Sequence, residues 1–505
     1  MSAITEQNEI NATLWRACDS FRGAFDSAAY KDYVLVMLFL KYISDVWRER
    51  KEELEARYGD NEEMLNRQLE RLRFRLPERS SFDYLYSFAS RDDVMIGEKI
   101  DIALAQIEEA NYPKLDKVFS MVTFNAEALG DEKEKNRRLR NLLRDFANLD
   151  LRPSRVKGDI IGDAYMFLIE RFASSAGKKG GEFYTPHGVS VLLAKLLKAK
   201  PGDRICDPTA GSGSLLLEVA REIHSDKRDY SLYGQEANGG TWTLCRLNMF
   251  LNGEDSAEIK RGDTLTNPLL VENDRLMKFN IVVANPPFSL DKWGADTAAG
   301  DSYKRFHRGV PPKSTADFAF LLHMIETALP MEGKVGVVVA HGVLFRGGAE
   351  GKIRQSLIAE NLLDAVIGLP EKLFFGTGIP AAILIFDRSR EAGGENAERN
   401  EVLFIDASKR FAAGKNQNTL RDDDIAAIAA AFHGRTEIAR FSRLVPVDEI
   451  AANDGNLNIA RYIDTFVAAE SVDVGALQAE VAGLESELAA VRDKLNAHLG
   501  ALGLG

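Results

Sequence analysis

Cysteine and histidine are scarce in this chain. Its 505 residues include seven histidines and three cysteines, which are Cys18, Cys206 and Cys245. The cysteines are too few and too widely separated for a disulfide framework or a zinc site, and the histidines lack ligand spacing. We therefore expect no bound metal and a protein that works in the reducing cytoplasm.

A segment that could enter a membrane is also missing. Residues 1–9 have neither the basic start nor the apolar core of a signal peptide. The longest apolar run near the N-terminus, residues 34–40, is interrupted by Lys41 and is far too short to cross a bilayer. The run predicts a buried helix, and we expect no membrane partner.

Positive charge is in deficit as well. The formal net charge at pH 7 is −12. A protein that binds DNA unaided usually neutralises phosphates with a basic surface. The composition therefore argues against DNA binding by this chain alone, and any DNA contact would need a local basic segment or a partner.

The tetrapeptide Asn285-Pro286-Pro287-Phe288 directly follows the apolar run Ile281–Ala284, which predicts that it ends a buried strand. An amino nitrogen conjugated to a ring is a poor nucleophile. An amide oxygen and a prolyl carbonyl that accept its N–H groups favour a pyramidal nitrogen, and the prolines stiffen both acceptors. The phenylalanine offers a face on which an extruded base can stack. The pattern predicts methylation of an amino nitrogen, and the alternative is a strand-ending turn without a chemical role.

A glycine-rich turn lies upstream, where residues 204–215 have the pattern of a strand, a glycine turn and a helix. The turn matches neither the dinucleotide-binding fingerprint nor the P-loop, so S-adenosylmethionine is a better candidate ligand than a pyrophosphate. The candidate cofactor residues of this turn are Asp207, Thr209, Ala210, Gly211 and Gly213.

Two further acids follow predicted strands. Glu236 ends the strand Ser231–Glu236, where such sheets hold a ribose through its hydroxyls. Asp263 follows a third strand and could accept a hydrogen bond from the adenine amino group of the cofactor. Each acid singly could instead be a solvated loop carboxylate. Their order along the chain, each after a strand, favours the cofactor interpretation.

Together these motifs make the chain resemble the modification (methyltransferase) subunit of type I restriction-modification systems, a family of N6-adenine DNA methyltransferases. The resemblance covers nearly the whole chain. Besides the segments above, it rests on residues 181–186, 262–265, 316–323, 368–380 and 456–462. One departure is Ala460, where family members often carry proline.

The resemblance implies methyl transfer from S-adenosylmethionine to N6 of a flipped-out adenine in double-stranded DNA. It also implies a separate specificity subunit that selects the site, a second copy of this chain in the complex, and a motor-nuclease restriction subunit. In the family one segment packs over the methionine end of the cofactor, and here it corresponds to Glu182, Phe183, Tyr184, Thr185, Pro186 and His187.

The alternation of helix and strand from residue 159 to 386 predicts a mostly parallel sheet with helices on both faces. The expected fold is therefore α/β, a Rossmann-like S-adenosylmethionine-dependent methyltransferase sheet with an N-terminal helical domain and a C-terminal coiled-coil-like helix. The predicted bounds are residues 1–150 for the helical domain, 151–467 for the methyltransferase domain and 468–505 for the C-terminal helix.

The C-terminal segment has an apolar seam at heptad spacing, which predicts a helix that needs a partner. The family resemblance implies docking onto the specificity subunit, and the alternative is packing on the chain's own body. The seam residues are Leu477, Val481, Leu484, Leu488, Val491, Leu495, His498 and Leu502.

Two basic segments are candidate DNA contacts. Residues 289–316 suggest a mobile basic loop beside the active site, or else an ordinary solvated loop. Residues 134–144 could contact phosphates but are more typical of a solvated helix face. Phe374 and Phe375 could form the opposite wall of a base pocket or belong to the core. The residues of the two segments that are candidates for such contacts are Arg137, Arg138, Arg140, Arg144, Lys292, Trp293, Lys304, Arg305, His307, Arg308 and Lys313.

Two other functions are alternatives. The hydrogen-bond acceptors of the tetrapeptide could bind any planar amide or amine, so RNA or a protein glutamine is a possible methyl acceptor. A non-catalytic assembly scaffold is the second alternative, and the intact Asn285 and Glu236 argue against it.

Overall fold

The computed structural model describes residues 7–18, 27–120, 122–156, 160–176, 184–223, 229–374, 378–415, 417–464 and 474–502. The chain forms two compact units, Met1–Ile463 and Asp464–Gly505. None of the helices in these described ranges is long and apolar enough to span a bilayer.

The N-terminal part of the first unit is helical. All seven residues of the run 34–40 are fully buried within one long helix, which confirms the predicted buried helix. Side-chain caps begin several of the others, such as the Asp131 carboxylate that accepts from the Glu134 amide. The helices of this region are α1 (Gln7–Ala17), α2 (Ser27–Tyr58), α3 (Glu62–Glu70), α4 (Phe82–Tyr86), α5 (Ile96–Ala110), α6 (Glu132–Ala147) and α7 (Ile160–Ala176).

A mostly parallel sheet follows, as predicted. Its strand order is β11-β10-β8-β9-β7-β6-β1-β2-β3, with β9 antiparallel to both of its neighbours and β11 antiparallel to β10, while β4 and β5 form a separate hairpin. The strands are β1 (Arg204–Asp207), β2 (Ser231–Glu236), β3 (Glu258–Arg261), β4 (Val271–Glu272), β5 (Arg275–Leu276), β6 (Ile281–Ala284), β7 (Lys334–Ala340), β8 (Leu363–Gly368), β9 (Ala381–Asp387), β10 (Glu401–Asp406) and β11 (Ser442–Pro446).

Helices cover both faces of this sheet, and each face has its own apolar core. Alternate residues of β6 belong to different cores, since Ile281 and Val283 join one cluster while Val282 and Ala284 join the other. The first cluster continues into α1, α2 and α5, so the helical region and the sheet share a core. The remaining helices of this unit are α8 (His187–Leu197), α9 (Ser214–Arg221), α10 (Gly239–Leu251), α11 (Ala295–Ala298), α12 (Asp317–Thr327), α13 (Gly348–Ala359), α14 (Asp422–Gly434) and α15 (Val447–Ala452).

The second unit contains one long helix, α16 (Val474–Ala501). The apolar side chains of the predicted heptad seam are exposed, from 49% at Leu477 to 72% at Leu502. Exposed leucine and valine at every turn is unfavourable in water. The helix therefore presents an apolar face that a partner could cover.

Candidate functional site

Three neighbouring strands bring the motif residues to one edge of the sheet. Strands β6, β1 and β2 are adjacent and parallel. Asp207 and Glu236 are the last residues of β1 and β2, and Asn285 directly follows β6. Because the carboxyl ends of parallel strands share one edge, segments far apart in sequence converge there.

A pocket lies at this edge. Its wall is built from the segment before α8, the glycine turn with the start of α9, and the end of β6. The sequence motifs missed Ser212, Ser214 and Leu215, which continue the predicted turn. The lining residues are Tyr184, Thr185, Asp207, Thr209, Ala210, Gly211, Ser212, Ser214, Leu215 and Asn285.

Glycine is required in the turn both for its conformation and for space. Gly211 and Gly213 have positive φ angles of 54° and 78°, which side chains rarely adopt. A Cβ on Gly213 would lie 2.6 Å from Cε of Met249 and 2.8 Å from Sγ of Cys245. Gly211 therefore brings bare backbone to the pocket, whereas the bare side of Gly213 packs against α10. Helix α9 begins directly after the turn with its first-turn N–H groups available.

Glu236 is tied to this turn by its carboxylate. Its Oε2 accepts a hydrogen bond from the Gly211 amide at 3.0 Å, and its Oε1 accepts one from the Asn238 amide at 2.8 Å. Burial raises the pKa of the Glu236 carboxyl, and the backbone N–H groups and the charge of Lys31 oppose that rise. A carboxylate oriented in this way keeps lone pairs for two hydroxyl donors, as a ribose-binding acid requires.

Asp207 is buried beside it, with 2% of its surface exposed. Its Oδ1 accepts a hydrogen bond from the Thr209 amide at 2.9 Å. Burial raises the pKa of Asp207 to about 7, the Thr209 amide lowers it, and the charge of Glu236 raises it further. Asp207 thus lines the pocket, whereas Glu236 interacts with it electrostatically but is not itself a lining residue.

Asn285 provides the polar group of the tetrapeptide at the pocket. Its Nδ2 donates to Oγ1 of Thr185 at 3.2 Å. Its Oδ1 is buried and finds no hydrogen-bond partner in the described part of the chain. Such an oxygen costs about 1–3 kcal/mol when unsatisfied. The atom is therefore available to accept an N–H group from a ligand.

The other residues of the tetrapeptide, Pro286, Pro287 and Phe288, follow Asn285 but are not among the residues that line the pocket. Pro286 is buried, and Pro287 and Phe288 are half-buried. The ring of Phe288 packs edge-to-face against that of Phe374, with 5.6 Å between centroids. Phe374 is buried in the apolar core, which favours the alternative that it is a core aromatic, and its role in a base pocket stays a prediction. Phe375 lies outside the described residues.

The segment before α8 is only partly described. Tyr184 and Thr185 are buried at the pocket, and burial together with the charge of Glu170 raises the pKa of the Tyr184 hydroxyl. Pro186 precedes α8, and the exposed His187 begins it, with Nδ1 at 3.6 Å from Oε1 of Glu218. Glu182 and Phe183 lie outside the described residues.

Asp263 is at the same edge of the sheet but does not line the pocket. It follows β3, and its exposed carboxylate accepts from the amides of Leu265 at 2.8 Å and Thr266 at 3.4 Å. The structure therefore assigns Asp263 to a local turn, and its contact with the cofactor's adenine stays a prediction.

S-adenosylmethionine fits the groups that are present. Glu236 can accept from ribose hydroxyls, the glycine turn lets the ligand approach the backbone, and Asn285 presents an unsatisfied acceptor where a methyl acceptor would lie. Helix α2 contributes two side chains that no motif indicated. The charge of Lys31 acts on Glu236, and Oδ2 of Asp32 lies 3.3 Å from the position that a Cβ on Gly240 would take.

The prediction of a mobile basic loop was wrong for two arginines of residues 289–316. Arg305 is 3% exposed and binds Asp301 in a two-pronged ion pair, with distances of 2.8 and 3.0 Å. Arg308 is paired with Glu326 and Glu360, each at 2.7 Å. These guanidinium groups are oriented by protein carboxylates, so they do not extend toward DNA.

The other residues of that segment are divided between core and surface. The Trp293 ring is buried against Phe306 and donates to the Pro312 carbonyl at 2.8 Å. Lys313 is exposed and pairs with Asp296. The side chains that remain candidates for DNA contact are the exposed Lys292, Lys304 and His307.

The arginines of α6 are similarly engaged within the helical region. Arg138 pairs with Glu134 at 2.9 Å and donates to the Leu129 carbonyl. Arg140 pairs with Asp92 at 2.5 Å, and Arg144 donates to the Ala89 carbonyl. Arg137 is exposed and lies 3.1 Å from Glu134. These contacts favour the interpretation of a structural helix face over a phosphate site.

Comparison with known proteins gives a consistent result. The N-6 DNA Methylase family matches residues 156–471, and the HsdM N-terminal domain family matches residues 10–146. The type I restriction enzyme MpnII methylase subunit of Mycoplasma pneumoniae is 31% identical, over 97% of this chain and 96% of that protein. The MjaVIII methylase subunit of Methanocaldococcus jannaschii is 33% identical, over 90% of this chain and 79% of that protein.

A solved structure agrees in fold and sequence. The type I restriction-modification system methyltransferase subunit from Streptococcus thermophilus superimposes with a TM-score of 0.81 at 34% identity, over 91% of this chain and all of that chain. The similarity thus extends over the helical region and the sheet together.

Proposed function

From the premise that this chain belongs to the N-6 DNA methylase family, as a methylase subunit of a type I restriction-modification system, we propose that it methylates N6 of adenine in DNA. The observation that carries the proposal is the buried, unsatisfied Oδ1 of Asn285 at the edge of the cofactor pocket. This activity is that of a site-specific, adenine-specific DNA methyltransferase working in the cytoplasm.

The residues of the tetrapeptide prepare the amino group for reaction. Oδ1 of Asn285 accepts one N–H of the flipped-out adenine, and the carbonyl of Pro286 accepts the other. The two acceptors withdraw the N6 lone pair from the ring and aim it toward the cofactor side of the pocket. Thr185 holds the Asn285 amide in place through Nδ2, so the oxygen is oriented before the base arrives.

The aromatic residues position the base. Phe288 offers its face for stacking, and Phe374 packs against the edge of that ring. Pro286 and Pro287 restrict the backbone between the acceptor and the stacking ring. Stacking of this kind accepts any base, and the two N–H acceptors restrict the target to a base with an exocyclic amino group. The choice of adenine among these bases rests on membership of the N-6 DNA methylase family.

The cofactor is held on the other side of Asn285. Glu236 accepts from the ribose hydroxyls, the turn from Thr209 to Gly213 follows the backbone of the ligand, and Asp207 orders that turn through Thr209. The segment from Glu182 to His187 covers the methionine end, and Asp263 accepts from the adenine. When bound, S-adenosylmethionine supplies an electrophilic methyl group on a sulfonium, which a neutral amine can take.

Target selection requires partners. The net charge of −12 and the few basic side chains left exposed near the tetrapeptide are poor means of binding DNA specifically. We propose that a specificity subunit reads the double-stranded site and covers the exposed seam of α16. The complex would contain a second copy of this chain, with a motor-nuclease restriction subunit in the full assembly. The proposed domains are residues 1–150, 151–467 and 468–505.

The decisive variant is Asn285→Ala, assayed in the full chain together with its specificity subunit. Loss of one oriented acceptor should reduce the rate of adenine methylation on the order of 10²–10³-fold. The affinity for S-adenosylmethionine, measured by calorimetry, should change at most a few-fold because the side chain contacts the methyl acceptor.

Asn280→Ala is the matched control. Asn280 precedes the same strand, and its side chain accepts from the Arg204 amide at 2.9 Å, away from the pocket. This variant should lose stability without the selective loss of methylation. Substantial methylation by Asn285→Ala would contradict the proposed function.

A further inference from the structure

A second cavity, which shares no lining residue with the cofactor pocket, lies at the start of helix α13. Its volume is about 530 Å³. Residues 345–355 form one wall, and residues 452–461 form the other. Part of the second wall lies in the segment 456–462, on which the family resemblance partly rests and which has no part in the cofactor pocket. The cavity is therefore a separate candidate site.

More positive than negative side chains line this cavity. Its cations are Lys352, Arg354 and Arg461, and its one carboxylate is the exposed Asp454. Lys352 and Arg461 are exposed as well, and neither forms an ion pair with a carboxylate of the described residues. Arg461 approaches only the neutral Oδ1 of Asn453, at 3.5 Å. The charge of the lining suits an anion.

Arg354 is the buried cation of the cavity, with 4% of its surface exposed. It donates from Nε to the Gly455 carbonyl at 2.6 Å and from Nη1 to the carbonyls of Val343 and Arg346 at 3.1 and 3.0 Å. These neutral acceptors orient the guanidinium without neutralising it, and no described carboxylate is in ion-pair contact with it. Burial lowers its pKa, and the charge of Glu350 opposes that effect only in part. An anion in the cavity would stabilise this buried cation.

Arg346 connects the cavity to the segment that follows the tetrapeptide. Its carbonyl accepts from Arg354, and its guanidinium donates to Oγ of Ser289 and Oδ2 of Asp317, each at 3.3 Å. Ser289 directly follows Phe288. Because β6 and β7 are adjacent and parallel, the loop after β7 leaves the sheet at the same edge as the tetrapeptide. The cavity therefore lies at the edge where the target base would be bound.

We propose that this cavity binds a backbone phosphate of the DNA strand that carries the target base, with Lys352 and Arg461 as the contacting cations. The identity of the anion as DNA rests on the proposed function. Phe345, which is 44% exposed at the cavity, offers an apolar face to the sugar next to that phosphate. A contact of this kind positions the strand and carries no sequence information, so the specificity subunit still selects the site.

The first test measures DNA binding by the chain assembled with its specificity subunit. A fluorescent duplex that contains the recognition site is titrated at several salt concentrations. In the double variant Lys352→Ala/Arg461→Ala the affinity should fall several-fold, and the slope of log affinity against log salt should decrease by about 0.9 per lost phosphate contact. The thermal midpoint and the affinity for S-adenosylmethionine should stay unchanged, because both side chains are exposed and lie outside the cofactor pocket.

Lys198→Ala/Lys200→Ala is the matched control. These lysines are exposed and precede β1, so they lie at the opposite edge of the sheet. The control removes the same charge as the test variant and should leave the salt slope close to that of the wild type. Equal slopes in the two double variants would mean that only net charge matters, and the inference would be overturned.

Gly347→Glu is an independent second test, which adds a negative charge at the cavity. No described atom lies within 4 Å of the position that a Cβ on Gly347 would take, and its φ of −86° suits any residue. The carboxylate should repel the phosphate and reduce DNA affinity several-fold. Asn400→Glu is the control, since Asn400 is exposed before β10 at the opposite edge and the charge change is the same.

The outcomes separate this inference from the proposed function. If the wild-type complex binds and methylates the duplex while Gly347→Glu behaves like Asn400→Glu, the phosphate site is wrong and the proposed function stands. If the wild-type complex shows no adenine methylation, the proposed function fails first, and the inference falls with it.

Discussion

The segment of residues 289–316 and helix α2 differ in how their positive charges are used. The segment directly follows the tetrapeptide and is rich in basic residues, yet Arg305 and Arg308 are held by carboxylates of the protein. Helix α2 belongs to a region without catalytic motifs, yet the charge of its buried Lys31 acts on Glu236. The role of a basic side chain therefore depends more on the carboxylates against which it is packed than on its distance in sequence from a catalytic motif.

Of the variants that test this contrast, Arg305→Ala should have the largest effect on stability. The guanidinium is buried with Asp301 and also donates to the Thr264 and Leu265 carbonyls at 2.9 and 2.7 Å. Removing it leaves a buried carboxylate and two carbonyls unpaired, so the free energy of unfolding should fall by about 3–5 kcal/mol. Urea denaturation measures this change.

Lys304→Ala is the control for that variant, because Lys304 is the adjacent residue and is exposed. Its free energy of unfolding should change by less than about 0.5 kcal/mol. A similarly small effect of Arg305→Ala would mean that the ion pair does not stabilise the segment, and the contrast with α2 would disappear.

A smaller, pH-dependent effect on stability is expected from substitution of Asp207, a buried carboxyl group of the pocket. Its pKa is about 7 in the folded chain, against an ordinary value of 3.8. Between these values the folded state binds more protons than the unfolded state, so stability falls as the pH rises through this window. Asp207→Asn should therefore stabilise the chain at pH 8, by at most about 4 kcal/mol at 1.36 kcal/mol per pKa unit, and much less at pH 4.

Urea midpoints at pH 4 and pH 8 check this prediction. Asp203→Asn is the control, since Asp203 is buried just before the same strand and accepts from the Lys200 amide at 2.8 Å. The stability gained by Asp207→Asn should increase with pH more than the stability change caused by Asp203→Asn. An equal gain at both pH values would show that the Asp207 carboxyl is not held neutral by its surroundings.

The smallest effect is expected from neutralising the exposed lysines of the segment. Lys292→Ala and Lys304→Ala together should leave stability nearly unchanged, since both side chains are in solvent. If they contact phosphates, DNA affinity of the assembled complex should fall several-fold, and the slope of log affinity against log salt should decrease by about 0.9 per lost contact. An unchanged slope would remove this segment from the DNA interface.

The fold was largely predictable because its strands are short apolar runs bounded by turns. Ile281–Ala284 and Lys334–Ala340 are buried along nearly their whole length, and the sequence indicates this by runs that consist mostly of valine, isoleucine and alanine. Strand β11 was missed because this edge strand has only two consecutive aliphatic residues, Leu444 and Val445, and ends in Pro446, so it has little apolar signal. The antiparallel direction of β9 was missed as well, because strand direction depends on the connection and not on composition.

The site was predictable where its residues follow strands and not where they come from elsewhere. Tyr184, Asp207, Gly211 and Asn285 meet at one pocket because their motifs lie at strand ends or in the segment before α8. Asp263 satisfies the same sequence rule but turns its carboxylate to its own backbone. A strand end predicts the edge at which a side chain lies, and local hydrogen bonds decide where that side chain points.

The sequence by itself determined the sheet, the turn that needs glycine at Gly211 and Gly213, and the acceptor at Asn285. Each of these depends on the conformation and chemistry of a few consecutive residues, so local sequence carries the information. The packing of distant segments is what buries Arg305 against Asp301 and brings the charge of Lys31 to act on Glu236. Burial determines which charges must find partners, and burial depends on the packing of segments that are distant in sequence.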